Sequence, residues 1–144
     1  MKRRLLFVVS AIVLLLVLAA CARTPGSASS SEAQQVQITE TEFKIVSSVK
    51  TFSPGTPYHF VITNTGKTTH EFMMMPKSES SMSGMSMQNM DKIALVALDN
   101  ISPGETKTLD YSFPSSAANS HPEFACYLPG HYEAGMKLDV TVKA

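Results

Sequence analysis

From Gln35 onward the chain is written in short alternating apolar runs separated by turn signals, and that pattern restricts the fold more than any other feature. Val36 and Ile38 alternate, and so do Phe43 and Ile45; the two sets have opposite parity, which predicts a bulge or bend between them. Ser53-Pro54-Gly55 is a turn, Tyr58, Phe60 and Ile62 share one face of the next strand, Asn64-Thr65-Gly66 is a second turn, and the segment from His70 is extended again. Lys92 to Leu98 reads as a buried strand, and Ser102 to Glu105 as a type II turn. Leu109, Tyr111 and Phe113 alternate inward before Pro114, and Lys137 to Val142 closes the chain as an edge or terminal strand. Seven or eight such strands predict an all-β, antiparallel sandwich, and roughly 110 residues suffice for one such core. The segment 73–90, "MMMPKSESSMSGMSMQNM", departs from this texture and holds seven of the nine methionines. It is expected to be a Met-rich loop or a short helix beginning near Ser81, on which Met82, Met85 and Met90 would share a face that Met87 would not.

The first twenty residues are of another kind. Lys2, Arg3 and Arg4 precede an apolar run from Leu5 to Ala20 that only Ser10 interrupts. At 16 residues it is shorter than the roughly 20 that a spanning helix needs, and it suits an export signal. It ends in Leu18-Ala19-Ala20-Cys21, which resembles the bacterial lipobox and implies lipidation of Cys21. Ala22 follows, where an Asp often marks inner-membrane retention in Gram-negative lipoproteins. Residues 22–34, "ARTPGSASSSEAQ", are small and polar; they read as a tether reaching on the order of 20 Å. The expected organisation is a lipoprotein signal peptide over 1–20, a lipid-anchored linker over 21–34 and one domain over 35–144. Loss of Lys2, Arg3 and Arg4 leaves nine basic residues against twelve acidic, a net charge of −3, which argues against a nucleic-acid partner.

With Cys21 lipidated, Cys126 is the only thiol left, so no intramolecular disulfide can form. An unprotected thiol is at risk in an oxidising compartment; it must be buried and inert, or coordinated. Cys126, His131 and Met136 stand at equal steps in "CYLPGHYEAGM". Thiolate with imidazole selects borderline and soft metals, and a thioether moves the preference from zinc toward copper. Two nitrogens, a thiolate and a weak axial thioether describe a blue-copper centre. The second imidazole has to come from His59, His70 or His121. His70 is the best placed, because it follows a strand and a turn and can lie at one end of the sandwich. His59 alternates with Tyr58 and Phe60 and should point outward, and His121 sits in a polar loop before Pro122.

The segments "NTGKTTHEF" and "CYLPGHYEAGM" together resemble the cupredoxins, small copper proteins with a β-sandwich fold, and the four-and-four ligand spacing is similar to that of auracyanin-like members. The resemblance implies a Greek-key sandwich over 35–144 and the ligand set His70, Cys126, His131 and Met136 around one type 1 copper cycling between Cu(I) and Cu(II). It also implies electron passage through the edge of His131, near the surface beside Pro129 and Tyr132. Well-studied members often carry Asn directly after the upstream histidine, as a brace between the ligand loops. Glu71 stands there in this chain and puts that brace in question.

These features predict a monomeric electron carrier, lipid-tethered at the outer side of a cell membrane or in the periplasm, serving redox partner proteins. The alternative is a copper-trafficking or tolerance protein that uses the thioethers of Met82, Met85, Met87 and Met90 for Cu(I). An enzyme is not expected. No two of the four histidines form the His-x-His pairs of multicopper oxidases, and nothing supplies an oxyanion site for a Cys126–His131 hydrolase.

Overall fold

A computed structural model describes residues 32–76 and 86–144. The signal segment, Cys21, most of the tether, and Met82 and Met85 lie outside the described residues. The elements are β1 (Gln34–Thr41), β2 (Lys44–Ser47), β3 (Thr51–Phe52), β4 (Tyr58–Asn64), β5 (His70–Met75), helix α1 (Met87–Ile93), β6 (Val96–Ile101), β7 (Thr106–Tyr111), β8 (Glu123–Ala125), β9 (Lys137–Asp139) and β10 (Thr141–Val142). One four-stranded sheet runs β2-β1-β4-β7 and another runs β6-β5-β8-β9, while β3 and β10 pair by themselves.

The alternation legible in the sequence is what fills the core. Val36 and Ile38 on β1, Tyr58, Phe60 and Ile62 on β4, and Phe72 and Phe124 from the opposite sheet are all buried in one cluster. The Phe60 and Phe124 rings meet edge to face at 6.1 Å across the interior. Phe52, on the two-residue β3, touches Tyr58, Phe60, Phe113 and Phe124. Such ring pairs contribute on the order of 1 kcal/mol each beyond their buried area.

Four expectations are corrected. Among the described residues there are ten strands rather than seven or eight, because two-residue pairings such as β3–β10 carry too little periodicity to register. The sandwich is mixed: β1 runs parallel to β4, and β3 parallel to β10. Lys92 and Ile93 end helix α1 instead of opening a buried strand, and β6 starts at Val96 with a half-exposed pattern. Lys137 to Val142 is divided between β9 and β10, which belong to different sheets. The expected bend after Ile38 takes the form of a hairpin turn at Glu42 and Phe43, which leaves Ile45 buried and Phe43 exposed at a φ of +60°. A bulky residue in that region stores strain of roughly 1–3 kcal/mol.

β1 carries its alternation one step further, to Glu40, which is fully buried opposite Asn64 of β4. Neither carboxyl oxygen has a hydrogen-bond partner. Burial first, and the nearby Glu71 second, push its pKa up from 4.5 to about 8. The folded protein therefore holds a proton here that the unfolded chain releases above about pH 4.5. Between about pH 4.5 and 8 the folded state binds more protons than the unfolded one, so the stability contributed at low pH is lost as pH rises. The limiting slope is about 1.4 kcal/mol per pH unit. Glu40→Gln is expected to remove this slope and to gain on the wild type toward pH 8; thermal unfolding across that range checks it, and parallel profiles would contradict the assignment.

Candidate metal centre

Two chain segments supply the candidate donors, and strand pairing brings them together. His70 opens β5. Cys126 follows the last residue of β8, and β5 pairs antiparallel with β8 through Met73–Ala125, Met74–Phe124 and Met75–Glu123. This register carries Cys126 back to the beginning of β5. The loop into β5 is shaped by Asn64, whose amide donates to the Thr68 and Ile101 carbonyls at 2.8 Å and accepts from the Gly66 N–H at 2.8 Å. A Cβ at Gly66 would fall 2.8 Å from Glu42 Oε1 and 3.1 Å from His70 Nε2, so a side chain there would displace the Glu42 carboxylate and crowd the His70 ring.

The loop from Cys126 to Met136 is closed by its own backbone. The Cys126 N–H donates to the Met136 carbonyl at 3.1 Å, the Met136 N–H to His131 at 3.0 Å, and the His131 N–H to Leu128 at 2.9 Å. Gly130 and Gly135 take the positive φ values, 83° and 102°, that these tight turns require. The three possible ligands of this loop are thereby held by mutual hydrogen bonds.

The donor atoms converge. His131 Nδ1 lies 3.3 Å from His70 Nδ1 and 3.3 Å from Cys126 Sγ, and the ligand atoms of all three residues fall within 4.8 Å of one another. His70 and Cys126 are fully buried, His131 is half-buried, and Met136 is fully buried in the same core cluster as Cys126. His70 Nε2 is also buried and has no hydrogen-bond partner. The two other histidines are elsewhere, as expected. His59 pairs with Asp110 at 2.7 Å on the outside of its sheet, and His121 is exposed.

These residues fit a soft or borderline cation. Burial first, then His131, lowers the pKa of His70, while Glu42 pulls it back up; the ring is neutral and its lone pair is available at neutral pH. Burial raises the Cys126 thiol to about 11, although the backbone N–H groups of Glu71 and Leu128 oppose that rise. A cation has to displace the thiol proton, so affinity grows with pH.

Glu71 supplies the side-chain brace that its identity put in question: its Oε1 accepts the Tyr127 N–H at 2.7 Å, tying β5 to the ligand loop. Two neighbours of the site differ from expectation. Tyr132 does not flank His131 at the surface; it is buried, stacked on Tyr127 at 4.8 Å, and its hydroxyl donates to Glu123. Beside His131 instead stands the exposed Phe43, edge-on at 5.6 Å. Its place in a hairpin turn 88 positions away in sequence gave no signal of that contact. The Met-rich candidates are divided: Met90 is buried against Met73 and Met75 on a helix that runs Met87–Ile93, while the expected start near Ser81, with Met82 and Met85, lies outside the described residues.

No protein-family model matches the chain. The copper-resistant cuproprotein CopI of Vibrio cholerae is 36% identical over 97 residues, a region that covers 64% of this chain and 54% of that protein. The chain thus spans about half the length of the curated relative it matches. Among solved structures, reduced auracyanin from Roseiflexus castenholzii superposes with a TM-score of 0.62 at 19% identity, covering 78% of this chain and 98% of that one. Auracyanin A, a "blue" copper protein from Chloroflexus aurantiacus, gives 0.61 at 15%, covering 76% and 98%.

Glu71→Ala removes the carboxyl oxygen that accepts the Tyr127 N–H and is expected to cost about 1–3 kcal/mol in urea unfolding. Glu71→Gln keeps an acceptor oxygen and should cost clearly less. The geometry and the superpositions meet in one statement: the described domain has the cupredoxin fold, and the donor cluster at its loop end fits a type 1 copper site.

Proposed function

We propose that the protein is a type 1 copper electron carrier of the cell envelope, with His70, Cys126, His131 and Met136 as ligands. The observation that carries this reading is the convergence of one thiol and two imidazoles within 4.8 Å, beside a buried thioether. Copper held there supplies a one-electron couple that accepts soft sulfur and harder nitrogen donors in both oxidation states. The chain's own contribution is rigidity. The loop hydrogen bonds, the Asn64 contacts and the Glu71 brace hold the donors in place, so little has to move when charge changes. Burial of His70 and Cys126 keeps water from the donors, while His131 is half-buried and gives the site an edge toward solvent beside Phe43. That edge is where a redox partner would exchange electrons.

The export signal and the lipobox-like Leu18–Cys21 support an extracytoplasmic, lipid-tethered placement. A second reading, copper handling for tolerance, is favoured by the relative from Vibrio cholerae, whose name describes a copper-resistant cuproprotein.

Addition of copper(II) to the full chain should give the intense blue absorption of a thiolate-to-copper charge transfer, with the narrow hyperfine splitting of a type 1 centre in the paramagnetic spectrum. Cys126→Ser is expected to abolish both, whereas His59→Ala and His121→Ala leave them unchanged. A serine variant that stays blue would remove Cys126 from the ligand set.

A further inference from the structure

The sandwich has a second buried cluster, and its chemistry differs from that of the main core. The main core is built of branched and aromatic side chains; of its sixteen buried members only Met74 and Met136 are methionines. Among the described residues the satellite cluster has six buried members: Met73, Met75, Met90, Ala125, Tyr127 and Tyr132. Half are thioethers, and none is Leu, Ile, Val or Phe. Packing alone favours the stiffer branched residues, because an ordered methionine forfeits more rotamer entropy and defines the core less sharply.

The backbone accounts for the gathering. Met73 and Met75 are two apart on β5 and so share the face opposite Met74, which enters the main core. Their register partners on β8 are Ala125 and Glu123. Ala125 is small and leaves room between the two chains. Glu123 places a buried carboxyl group on this face, and it accepts hydrogen bonds from Tyr127 at 3.3 Å and Tyr132 at 3.0 Å. Helix α1 brings Met90 in from above, with Ile93 and Ala94 packed at its side. That helix has seven residues, no side-chain cap and no acidic residue in its first turn, so its docking rests on this apolar contact.

We propose that Met73, Met75 and Met90 form a second, soft-metal site that holds one monovalent copper ion on three thioethers beneath α1. Thioethers select Cu(I) over Cu(II) and over zinc, and they keep that character in oxidising surroundings where thiols do not. The inference goes beyond the electron-carrier reading and does not depend on it. It gives the copper-handling reading a residue set of its own, one that shares only Met90 with the set expected from the sequence.

The test uses the full chain carrying Cys126→Ser, which removes the thiolate of the type 1 cluster, and silver(I) as a redox-inert probe for Cu(I). Methionine methyl groups labelled with carbon-13 are followed by NMR and assigned with single Met→Leu variants, which nearly conserve volume. The methyl signals of Met73, Met75 and Met90 are expected to shift together and to saturate together. Met73→Leu combined with Met90→Leu is expected to weaken silver binding at this cluster at least 10-fold while the thermal midpoint stays close to that of the parent. Shifts confined to Met82, Met85 and Met87, movement of Met90 without Met73 and Met75, or no methionine response in this cluster would each overturn the proposal. The blue-copper reading is tested on wild-type protein with copper(II), so either reading can fail without the other.

Discussion

The antiparallel pairing of β5 with β8 is the contact on which the rest depends. It is short, three residue pairs, yet it sets His70 beside Cys126 although the two are 56 positions apart in the chain. A slip of one residue would turn every side chain of β8 to the opposite face. Phe124 would leave the core and Ala125 would enter it, and the thiol would no longer face the imidazoles. The register is fixed from the core side by Phe72, Met74 and Phe124, and from the loop side by the Glu71 carboxyl on the Tyr127 N–H. Hydrophobic packing and one carboxyl acceptor thus specify the same alignment from its two ends.

Electrostatics at this end of the sandwich run against a bare thiolate. Glu40 and Glu71 both lie close enough to Cys126 to raise its pKa further, after burial has already done so. Glu71 is itself raised by burial, although its bond from Tyr127 opposes the shift. A thiolate forming here without a cation would place negative charge in an apolar surround already flanked by carboxyl groups, at a cost of several kcal/mol. A bound cation would attract the thiolate and the neighbouring carboxyl groups and so offset part of the cost of burying their charge. The same burial that keeps the Cys126 thiol protonated without a metal would favour a thiolate neutralised by a bound cation.

Much of this was legible in the sequence, and the illegible parts share a cause. Alternation along β1 and β4 reported directly which side chains fill the core, because period-2 burial is a local property. The candidate donor loop stood out because three side chains of distinctive chemistry sit within eleven residues, and the structure brings two of them, Cys126 and His131, together with His70. Helix α1 was misread because "KIAL" continues an apolar run, whereas Lys92 and Ile93 close a helix whose Met90 packs on Met73 and Met75. The roles of Phe43, Tyr132 and Glu40 were invisible for a stronger reason. Each depends on a partner distant in the chain or on a direction set by tertiary packing: Phe43 on His131, Tyr132 on Glu123, Glu40 on the burial of an entire strand face. Glu71 shows the limit of reasoning by residue type. A carboxylate seemed unable to do an amide's work, yet a backbone N–H asks only for an acceptor oxygen.

β5 also shows how one strand can serve two chemistries without confusing them. Its first residue faces the imidazole–thiol cluster, Phe72 and Met74 enter the main core, and Met73 and Met75 face the satellite cluster on the other side. All six residues of β5 are buried, which means both faces of the strand are covered. An antiparallel strand with one solvated face would be half polar, so the cover supplied by α1 is what permits three consecutive methionines here. The two thioether-bearing faces are separated by the thickness of a single sheet, and the chain passes from His70 to Met73 in three residues, roughly 10 Å of extended backbone. Any ion held under α1 would therefore sit near the imidazole–thiol cluster but on the far side of a hydrogen-bonded sheet, shielded from exchanging ligands with it.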